Sequence, residues 1–130
     1  MKLVFNVVDQ LAKEHKVDKN RIYITGLSMG GYGTFDALAR RPDFFAAAIP
    51  ICGGGDVKTA KIFKDVPLWI FHGAADNVVP VKMSQEMVKA LKKAGGEPKY
   101  TEYPGVKHNS WTQTYRKSEV WAWMFGHSKK

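Results

Sequence analysis

The sequence contains one cysteine, Cys52, in 130 residues. A single thiol closes no internal disulfide, so cysteine content fixes neither an oxidising nor a reducing compartment. At the end of an apolar run, Cys52 is expected to be a small buried apolar residue. No apolar stretch is long enough to cross a bilayer. The opening Met1-Lys2-Leu3-Val4 lacks the apolar run and small-residue cleavage site of a secretory signal. Any such signal would lie upstream, which leaves secretion and the cytoplasm both open. Repeats, low-complexity tracts and linkers are also missing, which fits one small domain.

Acidic residues are few: 12 Asp and Glu stand against 20 Lys and Arg, a formal charge of +8. That balance would suit a polyanionic partner. However, Lys58, Lys61, Lys64, Lys82, Lys89, Lys92 and Lys93 are spaced as on the polar faces of surface helices, and no nucleic-acid motif accompanies them. Neither nucleic acid nor a membrane is expected as a partner. What the chain does have is apolar content, 45% of its residues, enough to build a core.

Short β-rich runs alternate with helical patterns. Val4, Val7, Val8 and Leu11 recur at helical spacing, predicting an amphipathic helix over 3–15. Strands are predicted over 21–25, 46–51, 68–71 and 99–103. Helices are predicted over 29–41, ended by Pro42, and over 81–93, followed by Gly95-Gly96. A brief helix is expected near 58–64, and an aromatic-rich helical stretch carries Trp111, Tyr115, Trp121, Trp123 and Phe125. Strands joined by helices imply an α/β fold: about four parallel strands with right-handed crossovers and flanking helices. Ligands of such sheets bind at the carboxyl ends of the strands.

Three of those ends carry reactive side chains. Gly26-Leu27-Ser28-Met29-Gly30 fits G-x-S-x-G with a strand before it and a helix after it. A strand-to-helix turn that sharp strains the serine backbone, and glycines two residues before and after remove the Cβ clashes. Ser28 then stands exposed at a helix N-terminus, and the Met29 amide faces the same space as an oxyanion donor. Asp76 follows the third strand and His108 the fourth. Serine, acid and histidine in that chain order are the arrangement in which His108 takes the Ser28 proton and Asp76 holds the imidazole tautomer. Asp56, after the second strand, is the alternative acid. His72 is expected to support the Asp76 loop, and Asp36 and Asp43 to face solvent. Trp111, three residues after His108, either packs the helix start or touches substrate. Tyr32 is expected to pack beneath the turn, and Gly30 and Gly31 to bring the helix close to the sheet.

The strings Ile22-Tyr23-Ile24-Thr25-Gly26-Leu27-Ser28-Met29-Gly30-Gly31, His72-Gly73-Ala74-Ala75-Asp76 with Val79-Pro80, and His108-Asn109-Ser110-Trp111 resemble the carboxyl-terminal half of an α/β-hydrolase. The likeness is to carboxylesterases of the dienelactone-hydrolase, feruloyl-esterase and polyhydroxybutyrate-depolymerase kind, and to prolyl-oligopeptidase-type peptidases. It implies serine-dependent hydrolysis of a small-molecule carboxylic ester through an acyl-enzyme, with no metal or organic cofactor. It implies catalytic roles for Ser28, Asp76 and His108, and an oxyanion role for the Met29 amide. The alternatives are a serine peptidase and a non-catalytic fragment.

The resemblance also implies that residues 1–130 are the carboxyl-terminal half of a catalytic domain. The family serine follows the fifth of about eight strands; here one helix and one strand precede it. The first half of the sheet would be missing, together with the loop that supplies the second oxyanion N–H. Loss of one such donor costs about 100-fold to 1000-fold in rate. The open sheet edge is expected to be completed by a separate N-terminal half or by self-association. With most crossover helices on one face, the other is expected to be covered only by the final aromatic helix, leaving apolar surface exposed.

Overall fold

A computed structural model describes all residues, 1–130. Helix α1 (Lys2–Glu14) leads into strand β1 (Tyr23–Leu27), then α2 (Met29–Arg40) and β2 (Ala47–Ile51). A 3₁₀ turn over Val57–Ile62 precedes β3 (Trp69–Gly73), α3 (Lys82–Lys93) and β4 (Lys99–Tyr103). Two short helices close the chain, α4 (Trp111–Tyr115) and α5 (Ser118–Phe125). The four strands form one parallel sheet in sequence order, β1-β2-β3-β4. β2 and β3 are buried throughout, as expected of central parallel strands covered on both faces.

Each sheet face has its own core. One joins Phe5 of α1, Phe35 and Leu38 of α2, Phe63, Ile70 of β3, and Met87 and Leu91 of α3. The other joins Ile49, Ile51, Phe71 and Tyr103 of the sheet to Val120 and Met124 of α5. Trp111, Tyr115, Trp121 and Trp123 pack against this second core. The aromatic stretch is therefore two helices broken near Arg116 and Lys117, and it covers the face the crossover helices leave bare.

Helix α1 differs most from the sequence reading. Its periodicity is helical, but the stripe points outward: Leu3, Val4, Val7 and Leu11 are exposed and Phe5 alone is buried. Phe5 meets Phe44 edge-on at 5.9 Å, and the Arg41 guanidinium lies 4.3 Å from its ring centroid. Arg41 is in turn held bidentately by Asp9 at 2.9 and 2.8 Å. Four of the eleven exposed large apolar residues thus lie on α1, and the other seven are scattered over the rest of the chain. The open edge expected on the first strand is present, since β1 pairs on one side only and all five of its residues are half-buried.

Candidate active site

The carboxyl ends of β1, β3 and β4 bring Ser28, Asp76 and His108 together. Ser28 stands between the end of β1 and the first residue of α2, at φ +55° and ψ −115°. A non-glycine residue reaches that region only when its surroundings force it. Here the Ser28 amide is fixed to the Ile51 carbonyl at 3.0 Å, and its own carbonyl accepts from Gly31 and Tyr32. A Cβ on Gly26 would strike the Gly30 backbone, and one on Gly31 would lie 2.6 Å from the Ile51 carbonyl oxygen. Gly26 and Gly31 are therefore the glycines the turn and the close helix–sheet approach require. A Cβ on Gly30 would meet nothing, so that glycine is not needed for clearance. Tyr32 does not pack beneath the turn: it is 39% exposed and lies beside Gly54.

The three side chains form a line. His108 Nδ1 lies 2.9 Å from Asp76 Oδ2, and His108 Nε2 lies 3.1 Å from Ser28 Oγ. A carboxylate only accepts, so Nδ1 carries the proton and Nε2 offers its lone pair to the serine hydroxyl. The other oxygen of Asp76, Oδ1, accepts from the Val78 and Val79 amides at 2.8 and 2.9 Å. Burial acts to raise the Asp76 pKa, but His108 and those two amides outweigh it and hold the carboxyl below its ordinary value. The Asp76 side chain is fully buried, while that of His108 keeps 21% exposure. The Met29 amide belongs to the first turn of α2, where N–H groups have no intrahelical acceptor. Trp111 is half-buried and meets His108 edge-on at 5.4 Å and 85°, so it packs and borders the site at once.

The other candidates lie elsewhere. Asp56 is exposed and caps the 3₁₀ turn through the Lys58 amide at 3.0 Å, which removes it as an alternative acid. Asp36 pairs with Arg40 on the surface, and Asp43 is exposed. His72 is fully buried beneath the Asp76 loop, as expected. Its Nε2 donates to the Val79 carbonyl at 2.8 Å and its Nδ1 lies 2.7 Å from Ser84 Oγ.

Two residues of the site were not visible as such in the sequence. Cys52 is buried, as expected, but at φ +43° it also turns its sulfur toward Ser28: Sγ lies 3.3 Å from the Ser28 amide. Burial pushes the Cys52 thiol up, against the Ser28 amide that lowers it, so the thiol stays protonated. Ser110 Oγ is buried beside that thiol and has no other hydrogen-bond partner. Only packing of the β1, β2 and β4 ends against one another reveals either relation.

The profile of the prolyl oligopeptidase family matches residues 2–69 and 56–130. A bifunctional acetylxylan esterase/xylanase of Neocallimastix patriciarum is 31% identical over 86 residues, 66% of this chain and 13% of that protein. The crystal structure of a thermostable esterase superposes with a TM-score of 0.94 at 48% identity, over 97% of this chain and 36% of that one. The crystal structure of SOBER1 from Arabidopsis thaliana superposes with a TM-score of 0.78 at 24% identity, over 95% of this chain and 60% of that one, a likeness of fold. The chain therefore spans a small part of the acetylxylan esterase/xylanase and about a third of the thermostable esterase.

Proposed function

The chain belongs to the prolyl oligopeptidase family of α/β-hydrolases, and from that premise we propose that it carries the nucleophile, acid and base of a serine hydrolase acting on carboxylic esters. The observation that carries this reading is the hydrogen-bonded line Ser28–His108–Asp76, built on a strained serine at the end of a parallel strand. The likeness to an esterase at 48% identity supports ester as the substrate class.

The steps follow from the tautomer. Ser28 Oγ attacks the ester carbonyl carbon while its proton passes to His108 Nε2. Asp76, already accepting from Nδ1, stabilises the imidazolium that forms. The Met29 amide donates to the developing oxyanion. When the ester C–O bond breaks, His108 returns the proton to the leaving alkoxide and an acyl-Ser28 remains. Water then attacks the acyl carbon, His108 takes a proton from it, and Ser28 leaves with that proton as acid is released. No step in this cycle calls on a metal or organic cofactor.

A second reading is peptide-bond hydrolysis. The family match favours it, and it would use the same three residues on an amide.

Intact-mass spectrometry after treatment with a fluorophosphonate tests the proposal. One adduct on the chain, lost in Ser28→Ala, is the expected result. No adduct on a folded chain would overturn it and leave the non-catalytic reading. Parallel ester and peptide panels on the labelled-competent protein separate the two substrate classes.

A further inference from the structure

Cys52 has no part in the cycle above, yet it sits directly under it. Its sulfur, one oxygen of Asp76 and one ring nitrogen of His108 lie within 4.8 Å of one another. The three donors come from three different strand ends, so their convergence is tertiary and owes nothing to local spacing. The second feature is Ser110 Oγ, fully buried beside the same thiol and without any other hydrogen-bond partner. Buried polar oxygens are seldom left in that condition.

We propose that Cys52, Asp76 and His108 form a binding site for a soft divalent cation, Zn²⁺ or Cd²⁺, whose occupation silences the triad. One sulfur, one imidazole nitrogen and one carboxylate oxygen is a donor set suited to these ions. Tetrahedral coordination with bonds of about 2.0–2.3 Å sets donor separations of roughly 3.3–3.7 Å. The donors are already near that range: the His108–Asp76 pair at 2.9 Å must open slightly, and Cys52 must close by at most about 1.5 Å. The exposed flank of His108 gives the ion its way in. Binding releases the thiol proton to solvent, leaving a metal thiolate, and the His108 proton moves from Nδ1 to Nε2 so that Nδ1 can offer its lone pair to the ion. It also draws His108 and Asp76 onto the ion, so Ser28 loses its base. The ion is thus an inhibitor and not a cofactor. Ser110 Oγ lies beside the sulfur, where a hydroxyl can donate to the thiolate.

The proposal rests on the same three side chains as the hydrolase reading, but its test uses no turnover, so either can fail without the other. Cd²⁺ is titrated into the intact, reduced chain while the ultraviolet sulfur-to-cadmium charge-transfer band is followed. Because Cys52 is the sole cysteine, the band reports on that residue alone. The expected result is a band saturating at one equivalent, lost in Cys52→Ala and shifted to roughly 10-fold higher Cd²⁺ or more in His108→Ala. Asp76→Asn, which keeps the side-chain shape, serves if His108→Ala fails by circular dichroism to fold, and should shift the titration likewise. Absence of the band would overturn the site. A band with the same midpoint in the folded His108→Ala or Asp76→Asn variant would mean a thiol-only complex and overturn it equally.

Discussion

The tautomer of His108 depends on one carboxylate. Asp76 fixes the Nδ1 proton because an acceptor-only group faces that nitrogen at 2.9 Å. An amide there can present its own N–H and invert the assignment, putting the proton on Nε2 where the serine needs a lone pair. Asp76→Asn should therefore retain the fold and lower kcat by on the order of 10⁴-fold, measured on any ester the wild type turns over. The same carboxylate couples the fold to acid. Its folded pKa is depressed below the ordinary 3.8. Its contribution to stability is therefore complete above the unfolded value and is lost as pH falls through the folded one. Denaturant midpoints should fall more steeply below about pH 4 in the wild type than in Asp76→Asn. Parallel slopes would mean that the carboxylate gains nothing on folding. Ser28, Asp76 and His108 were legible because each closes a strand that the pattern of apolar runs already located. The turns of Cys52 and Ser110 toward them were not, since positive φ at a cysteine leaves no mark in composition or period.

At the scale of elements, apolar periodicity locates a helix without saying which side of it is covered. Residues 3–15 were read as amphipathic, and α1 does form, but Phe5 anchors it while Leu3, Val4, Val7 and Leu11 face out. Burial depends on what lies across from a face, and that partner is not local. Phe5→Ala should cost about 3–5 kcal/mol, since it empties a core position shared with Phe44 and Phe45 and uncovers Arg41. Val7→Lys should change stability by less than about 0.5 kcal/mol, since Val7 is 57% exposed. Thermal midpoints of the two variants check the contrast, and an equal loss in both would mean that the outward stripe is covered in solution. β1 shows a similar limit. The β-branched run predicted a strand over 21–25, whereas parallel pairing of Tyr23 with Ala47 through Leu27 with Ile51 sets it two residues later. A strand's end is decided by its neighbour. The 3₁₀ turn, α3 and β4 fell close to their expected places because Pro, Gly and cap residues mark those ends within the chain itself.

At the scale of the molecule, two surfaces stay unsatisfied. β1 pairs with β2 and leaves its other edge free, and α1, which feeds β1, turns its apolar stripe to solvent. A free parallel edge offers a row of unpaired N–H and C=O groups. An exposed apolar stripe offers burial of the kind that strand pairing alone lacks. We propose that the sheet continues past β1, either into further strands of the family fold or into a second copy. The oxyanion argument gives this a kinetic form. The Met29 amide is the one donor assigned from this chain, and a second donor is worth about 100-fold to 1000-fold in rate. Addition of a polypeptide spanning the remainder of the thermostable esterase's domain should therefore speed fluorophosphonate labelling of Ser28 by about that factor. It should also abolish any concentration-dependent self-association seen by sedimentation. Val7→Lys and Leu11→Lys should weaken the gain if the added segment buries the α1 stripe, since both are exposed apolar residues of it. Faster labelling that these variants leave untouched would place the second donor elsewhere and separate the α1 stripe from the catalytic half of the sheet.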